Sequence, residues 1–120
     1  MADVTVQNLA AFTGLNDTKA AAATTQAFLN DGNTFLEFLN GNASARTLTI
    51  TQNPTEKQGF GTITPAALTV TIPGSGTNGG LCKVGRFPTG RFNDASNKVN
   101  YTIDNVTSLT VSAISLTPVA

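Results

Sequence analysis

The sequence predicts an all-β protein: an antiparallel β-sandwich, jelly-roll-like, with about eight strands and little helix. Three observations carry this. Apolar and polar residues alternate with period two along several runs. Threonine fills the polar positions of those runs, where its β-propensity is good. Charged residues make up only 12% of the 120-residue chain, against about 25% in an ordinary domain. Thr, Asn and Ser therefore take over the wet surface.

Strands are expected near residues 3–7, 23–29, 34–39, 45–52, 66–72, 80–86, 97–103 and 108–116, in a single domain over residues 1–120. After the first comes NDTKAAAATTQAFLN, where Asp17 could cap a helix and Ala20 to Ala23 favour one. Thr24 and Thr25 follow at once, and TTQAFL fits a strand, so a loop leading into a strand is expected. NDGN, Asn30 to Asn33, breaks the chain before TFLEFL. Asn40-Gly41 then favours a tight hairpin into ARTLTIT, through positive φ angles. In that strand Leu48 and Ile50 share one face, and Thr47, Thr49 and Thr51 the other. ALTVTIP repeats the pattern with Leu68, Val70 and Ile72. PGSGTNGG is a loop into LCKV; its glycines do not make a phosphate loop, because no Gly-Lys-Ser/Thr follows. KVNYTID alternates again with Val99, Tyr101 and Ile103. In SLTVSAISLTP the apolar phase changes at Ser112-Ala113, which predicts a β-bulge. The expected core is Leu36, Phe38, Leu48, Ile50, Leu68, Val70, Ile72, Val99, Tyr101, Ile103, Leu109 and Val111. With no Trp there is no Cys–Trp–Cys pattern, which turns the choice from an immunoglobulin-like sandwich toward a jelly roll.

The same residues argue against most chemistry. Histidine is absent, which removes the commonest general base and metal ligand. No Ser-His-Asp or Cys-His site can form in one chain. The single cysteine, Cys82, excludes an internal disulfide and gives zinc at most one thiolate; its apolar strand context predicts a buried side chain. Calcium on Asp17, Asp31 or Asp94 would need only oxygens, but no Asp-x-Asp loop supports it. No enzyme activity, cofactor, metal or small-molecule substrate is expected. Net charge is zero, unlike a nucleic-acid binder, and no run is apolar enough to span a bilayer. With no basic, apolar leader at the start, folding in a reducing cytoplasm is expected. Sugar platforms use Trp or Tyr; here Tyr101 alternates with core residues, and Phe12 and Phe60, in loop-like contexts, are a weak substitute.

What charge there is divides unevenly. Lys83, Arg86, Arg91 and Lys98 cluster, while Asp3, Asp17, Asp31 and Glu37 lie in the first third. That split suits contact between chains. At its centre lies GRFPTGRFND, Gly85 to Asp94, a loop by its glycines and proline. Arg86, Phe87, Pro88, Arg91, Phe92, Asn93 and Asp94 are the candidate interface, since arginine is enriched in interfaces. The competing reading is that Phe87 and Phe92 cap one end of the core.

Over roughly residues 30 to 116 the chain resembles a family of small tailed-bacteriophage virion proteins. The resemblance lies in TFLEFLNGNASARTLTI, in the Phe-Pro-x-x-x-Phe-Asn-Asp form of Phe87 to Asp94, and in the closing run VTSLTV, Val106 to Val111. It implies a capsid decoration, or cement, protein: a sandwich that coats the outer shell and clamps neighbouring capsomers. The implied partner is the major capsid protein. The implied state is a homo-oligomer, a trimer at three-fold positions. The implied location is the outer capsid surface of the virion, after synthesis in the host bacterial cytoplasm. A phage tail or head–tail connector protein and a glycan-binding β-sandwich module are the alternatives.

Overall fold

Twelve strands form among the residues that the computed structural model describes, which are 2–10, 13–53, 55–57, 59, 61–63 and 66–116. In chain order they are β1 (Ala2–Asp3), β2 (Val6–Leu9), β3 (Ala20–Ala21), β4 (Thr25–Leu29), β5 (Thr34–Asn40), β6 (Arg46–Ile50), β7 (Thr55–Lys57), β8 (Gly61–Ile63), β9 (Leu68–Ile72), β10 (Leu81–Val84), β11 (Lys98–Ile103) and β12 (Leu109–Leu116). A one-turn helix, α1 (Thr89–Phe92), lies between β10 and β11.

They build a β-sandwich. One sheet runs β1-β4-β11-β6-β9; the other runs β10-β5-β12-β2, with β3 also on β12; β7 and β8 form a separate ribbon. Neighbours are antiparallel except β1 with β4 and β2 with β12. From β3 onward each strand of the two main sheets falls in the sheet opposite its predecessor, except β9, which returns beside β6.

The alternating rows face each other across the sandwich. Leu36, Phe38, Leu48, Ile50, Ile72, Val99, Tyr101, Ile103, Leu109 and Val111 are buried as expected. Val70 is half-buried and Leu68 is 37% exposed, because β9 is the last strand of its sheet. Phe28, Phe87, Phe92, Val4 and Val84 join the core. The Tyr101 hydroxyl donates to Gln26 Oε1 at 2.9 Å, satisfying the one polar group that this ring carries inside.

Several expectations need correction. The strand expected near 3–7 is two strands in different sheets, with Val4 between them donating its N–H to Ala27 O. The short strand β3, the ribbon β7–β8 and the helix α1 carry no periodic signal long enough to read. Asn40-Gly41 does not make a hairpin, since β5 and β6 lie in different sheets, and neither residue takes a positive φ. The segment crosses between layers instead. Asn40 anchors it, fully buried: its Nδ2 donates to Ser44 O at 2.9 Å and Pro73 O at 3.1 Å, and its Oδ1 accepts from Asn42 N at 3.0 Å. This amide ties the β5–β6 crossing to the β9–β10 crossing. Cys82 is half-buried, not buried, because β10 is also an edge. Phe12 and Phe60 lie outside the described residues.

The expected bulge is absent as well. Strand β12 pairs one-to-one with β5 from Leu109–Asn40 to Ser115–Thr34. The apolar phase changes because both faces of β12 are buried. Val111 and Ala113 face the core, while Ser112 and Ile114 lie buried on the other face. Residues of the segment before β3 reach that face. Lys19 Nζ sits 2.7 Å from both Asp17 and Glu37, and the Ser112 hydroxyl donates to Asp17 at 2.7 Å.

These contacts set an acid limit. Lys19, with the Ser112 hydroxyl, holds the Asp17 carboxyl below its ordinary 3.8. The Asn33 N–H, with the Ser115 and Thr34 hydroxyls, does the same for Asp31. A depressed carboxylate contributes stability that is present above its unfolded pKa and lost as pH falls through the folded one. The melting temperature should therefore hold from neutral pH down to about pH 4 and then fall. Asp17→Asn should be less stable than wild type at pH 7 and show a shallower acid decline. Parallel acid limbs for the two proteins would contradict the assignment.

Candidate functional site

The loop Gly85–Asp94 is built from the inside outward. Each Gly-Arg-Phe triplet sends its phenylalanine in and its arginine out. Phe87 is 2% exposed and Phe92 5%, whereas Arg86 and Arg91 are exposed. Pro88, at φ −58°, starts the helical turn, and Phe92 N and Asn93 N donate back to Pro88 O and Thr89 O at 3.2 and 2.9 Å. The rings extend the core's aromatic chain. Phe92 meets Phe87 edge-on at 5.4 Å, Phe87 lies 5.6 Å from Phe28, and Phe28 lies 6.3 Å from Tyr101.

Asparagines hold the backbone above these rings. Asn30 Nδ2 donates to Phe87 O at 2.9 Å and to Asn93 Oδ1 at 2.8 Å, and Asn93 Nδ2 returns a bond to Asn30 O at 2.9 Å. Asn53 Nδ2 donates to Asn93 O at 2.6 Å and Gly90 O at 3.2 Å, while Asn53 N donates to Arg91 O at 2.8 Å. Asp94 closes the loop by accepting from Ser96 N, Lys98 N and Asn100 Nδ2. The Asn100 amide, with those two backbone N–H groups, keeps its carboxyl below the ordinary range. So Phe87, Phe92, Asn93 and Asp94 support the loop from within the chain. Its outer surface includes Arg86, Pro88, Thr89, Gly90 and Arg91, with Gly85 and the Asp94 carboxylate exposed at its two ends.

The two arginines are positioned differently. Arg91 Nε donates to Gln52 Oε1, and its guanidinium carbon sits 5.4 Å from the Phe92 ring centre. That combination orients the side chain, and among the described residues the rest of the fork has no carboxylate partner. Arg86 has a long contact, 3.4 Å, to Asn33 Oδ1. Neither pairs with a carboxylate among the described residues. The neighbouring cations do pair: Lys83 with Glu37 at 3.4 Å and Lys98 with Asp3 at 2.5 Å. The uneven charge of the sequence is thus half-neutralised inside the fold, because β10 lies beside β5 and β11 beside β4, which carries β1. Arg46 is buried and donates to Thr107 O at 3.1 Å. Among the described residues, Arg86 and Arg91 are left as the exposed arginines without a counter-charge.

No family model, curated protein or solved structure matches this chain. The functional reading therefore rests on the residues and their geometry. The supporting partners Asn30, Asn53 and Gln52 were not singled out from the sequence; they lie 63, 40 and 39 residues from their loop partners, and nothing local marks them. Among the described residues no three of Cys, Asp and Glu come together as a metal site. Asp17, Asp31 and Asp94 sit in three separate networks. Among the described residues no helix is long and apolar enough to cross a membrane.

Proposed function

We propose that this is a structural virion protein that decorates the outer surface of a phage head, binding the major capsid protein and stabilising contacts between capsomers. The observation that carries the reading is the hydrogen-bonded loop with its two exposed arginines, neither paired with a carboxylate among the described residues. Ring packing below and asparagine bonds around it mean that little ordering remains to be done on binding. A guanidinium fork suits carboxylates on a partner surface. The resemblance at Phe87 to Asp94 points the same way. The path of the chain supports a jelly roll: β3-β12-β5-β10 against β4-β11-β6-β9, with the alternation between sheets noted above, is the strand order of two Greek keys folded together. Repeated binding to a lattice of identical sites multiplies modest contacts through effective concentration.

The test uses phage heads stripped of this protein, incubated with the purified chain and sedimented. Wild type should saturate the heads. The Arg86→Ala/Arg91→Ala double variant should keep its circular-dichroism spectrum and melting temperature but bind at least about tenfold more weakly, since interface arginines are often worth about 2 kcal/mol each. Full occupancy by the double variant would remove the loop from the interface. Failure of wild type to bind heads would remove the decoration role.

A second observation favours the glycan-binding alternative. Where the two sheets part, Val4, Val111, Ala20, Ala21, Thr5 and Gln26 line a cavity of about 540 Å³, within the usual range of small-ligand sites. Calorimetry against neutral oligosaccharides separates the readings, because the cavity lining and the arginine loop are different residues.

A further inference from the structure

Each sheet ends in edge strands, and three of the four are guarded. β1 is only two residues long and carries Asp3, bonded to Lys98. β10 carries Lys83. Beside β2, the Gln7 side chain bonds both the N–H and the C=O of Thr18, so another segment closes against it. Charge, shortness and covering are the usual protections of a sheet edge. Among the described residues β9 has none of them. It is five residues long, Leu-Thr-Val-Thr-Ile, and pairs along its whole length with β6 on one side only. No other backbone bond reaches it among the described residues. The chain holds no charged residue between Lys57 and Lys83.

Two further features point to what covers this edge. Leu68, Val70 and Ile72 share the inward face, yet burial fails progressively along them: Ile72 is fully buried, Val70 partly, and Leu68 is 37% exposed. The inner row of β9 is thus unfinished. The strand is also self-complementary. Rotated by two-fold symmetry about Val70 into an antiparallel pair, Leu68 meets Ile72 of the second copy, Val70 meets Val70, and Thr69 meets Thr71. Apolar then faces apolar inside and threonine faces threonine outside, both favourable cross-strand pairings. No charge has to be desolvated.

We infer that β9 pairs with β9 of a second copy across a two-fold axis, joining two five-stranded sheets into one of ten strands. The inference does not depend on the capsid reading, since it concerns the pure chain. It makes the dimer the unit of assembly, where the resemblance implies a trimer.

The experiment is the native mass of the purified chain by light scattering, with paired variants at the two exposed threonines. Wild type should show two copies. Thr69→Lys/Thr71→Lys sets lysine against lysine across the axis and should give one copy with an unchanged circular-dichroism spectrum. Thr69→Lys/Thr71→Glu sets lysine against glutamate twice and should restore two copies, which mere damage to the strand would not. One or three copies for wild type, or two copies for the double-lysine variant, would overturn the inference. Failure of the lysine–glutamate variant to recover two copies would do the same.

Discussion

Phe87→Ala is expected to lower the melting temperature by roughly 10–20 °C, a loss of about 3–5 kcal/mol. The ring is almost wholly enclosed and touches two others, Phe28 and Phe92, at 5.6 and 5.4 Å. Truncation leaves a void between them that close-packed strands cannot collapse to fill. It also undermines the Phe87 carbonyl that receives the Asn30 amide. Arg91→Ala, four residues on, should move the melting temperature by only a few degrees, as exposed substitutions usually do. The contrast separates the two jobs of the loop. A small effect at Phe87 would mean that the ring is not part of the core. Equal large effects at both positions would mean that Arg91 is structural through Gln52 and Phe92.

The second large effect is expected at Gly80, where Gly80→Ala should cost at least about 3 kcal/mol. Its φ is +80°, and an added Cβ would lie 2.0 Å from Asn40 O and 2.9 Å from Asn40 C. The left-handed backbone alone costs an alanine about 1–2 kcal/mol. The clash adds more, because Asn40 cannot yield: it pairs with Leu109, and its amide holds both crossings between the sheets. Gly76→Ala, in the same loop with open space around it, is the control and should change stability by less than about 0.5 kcal/mol. Denaturant unfolding of the two variants decides this. Similar midpoints would show that the crossing has more room than its geometry implies.

How far the sequence reaches follows from the range of each signal. Leu48-Ile50, Val99-Tyr101-Ile103 and Leu36-Phe38 were legible because period two is a local property of a half-buried strand. Even the loop obeys it, each arginine facing out beside a phenylalanine facing in. Asn40-Gly41 was misread because a turn signal says that the chain reverses and is silent on whether it returns to the same sheet. The change of phase in β12 was misread for a related reason. Its second buried face is created by Asp17 and Lys19, some ninety-five residues earlier for the Asp17–Ser112 bond. The arginine loop could be located, but its support could not, since Asn30 and Asn53 resemble any other asparagine in a chain full of them.

The position of β12 has a consequence for how the molecule comes to exist. This strand is synthesised last among those described, yet it lies inside its sheet, with β5 on one side and β2 and β3 on the other. Until it emerges, β5 has a bare inner edge, β2 and β3 have nothing to pair with, and the inner face of the opposite sheet stays uncovered. The order of manufacture is therefore the reverse of the order of need. The central pairings, β5 with β12 and β4 with β11, join residues far apart in the chain, which is the regime of slow folding. A chain that stops short of Leu109 lacks the strand that joins β5 to β2 and β3. The arrival of β12 beside β5 is thus the step that closes this fold.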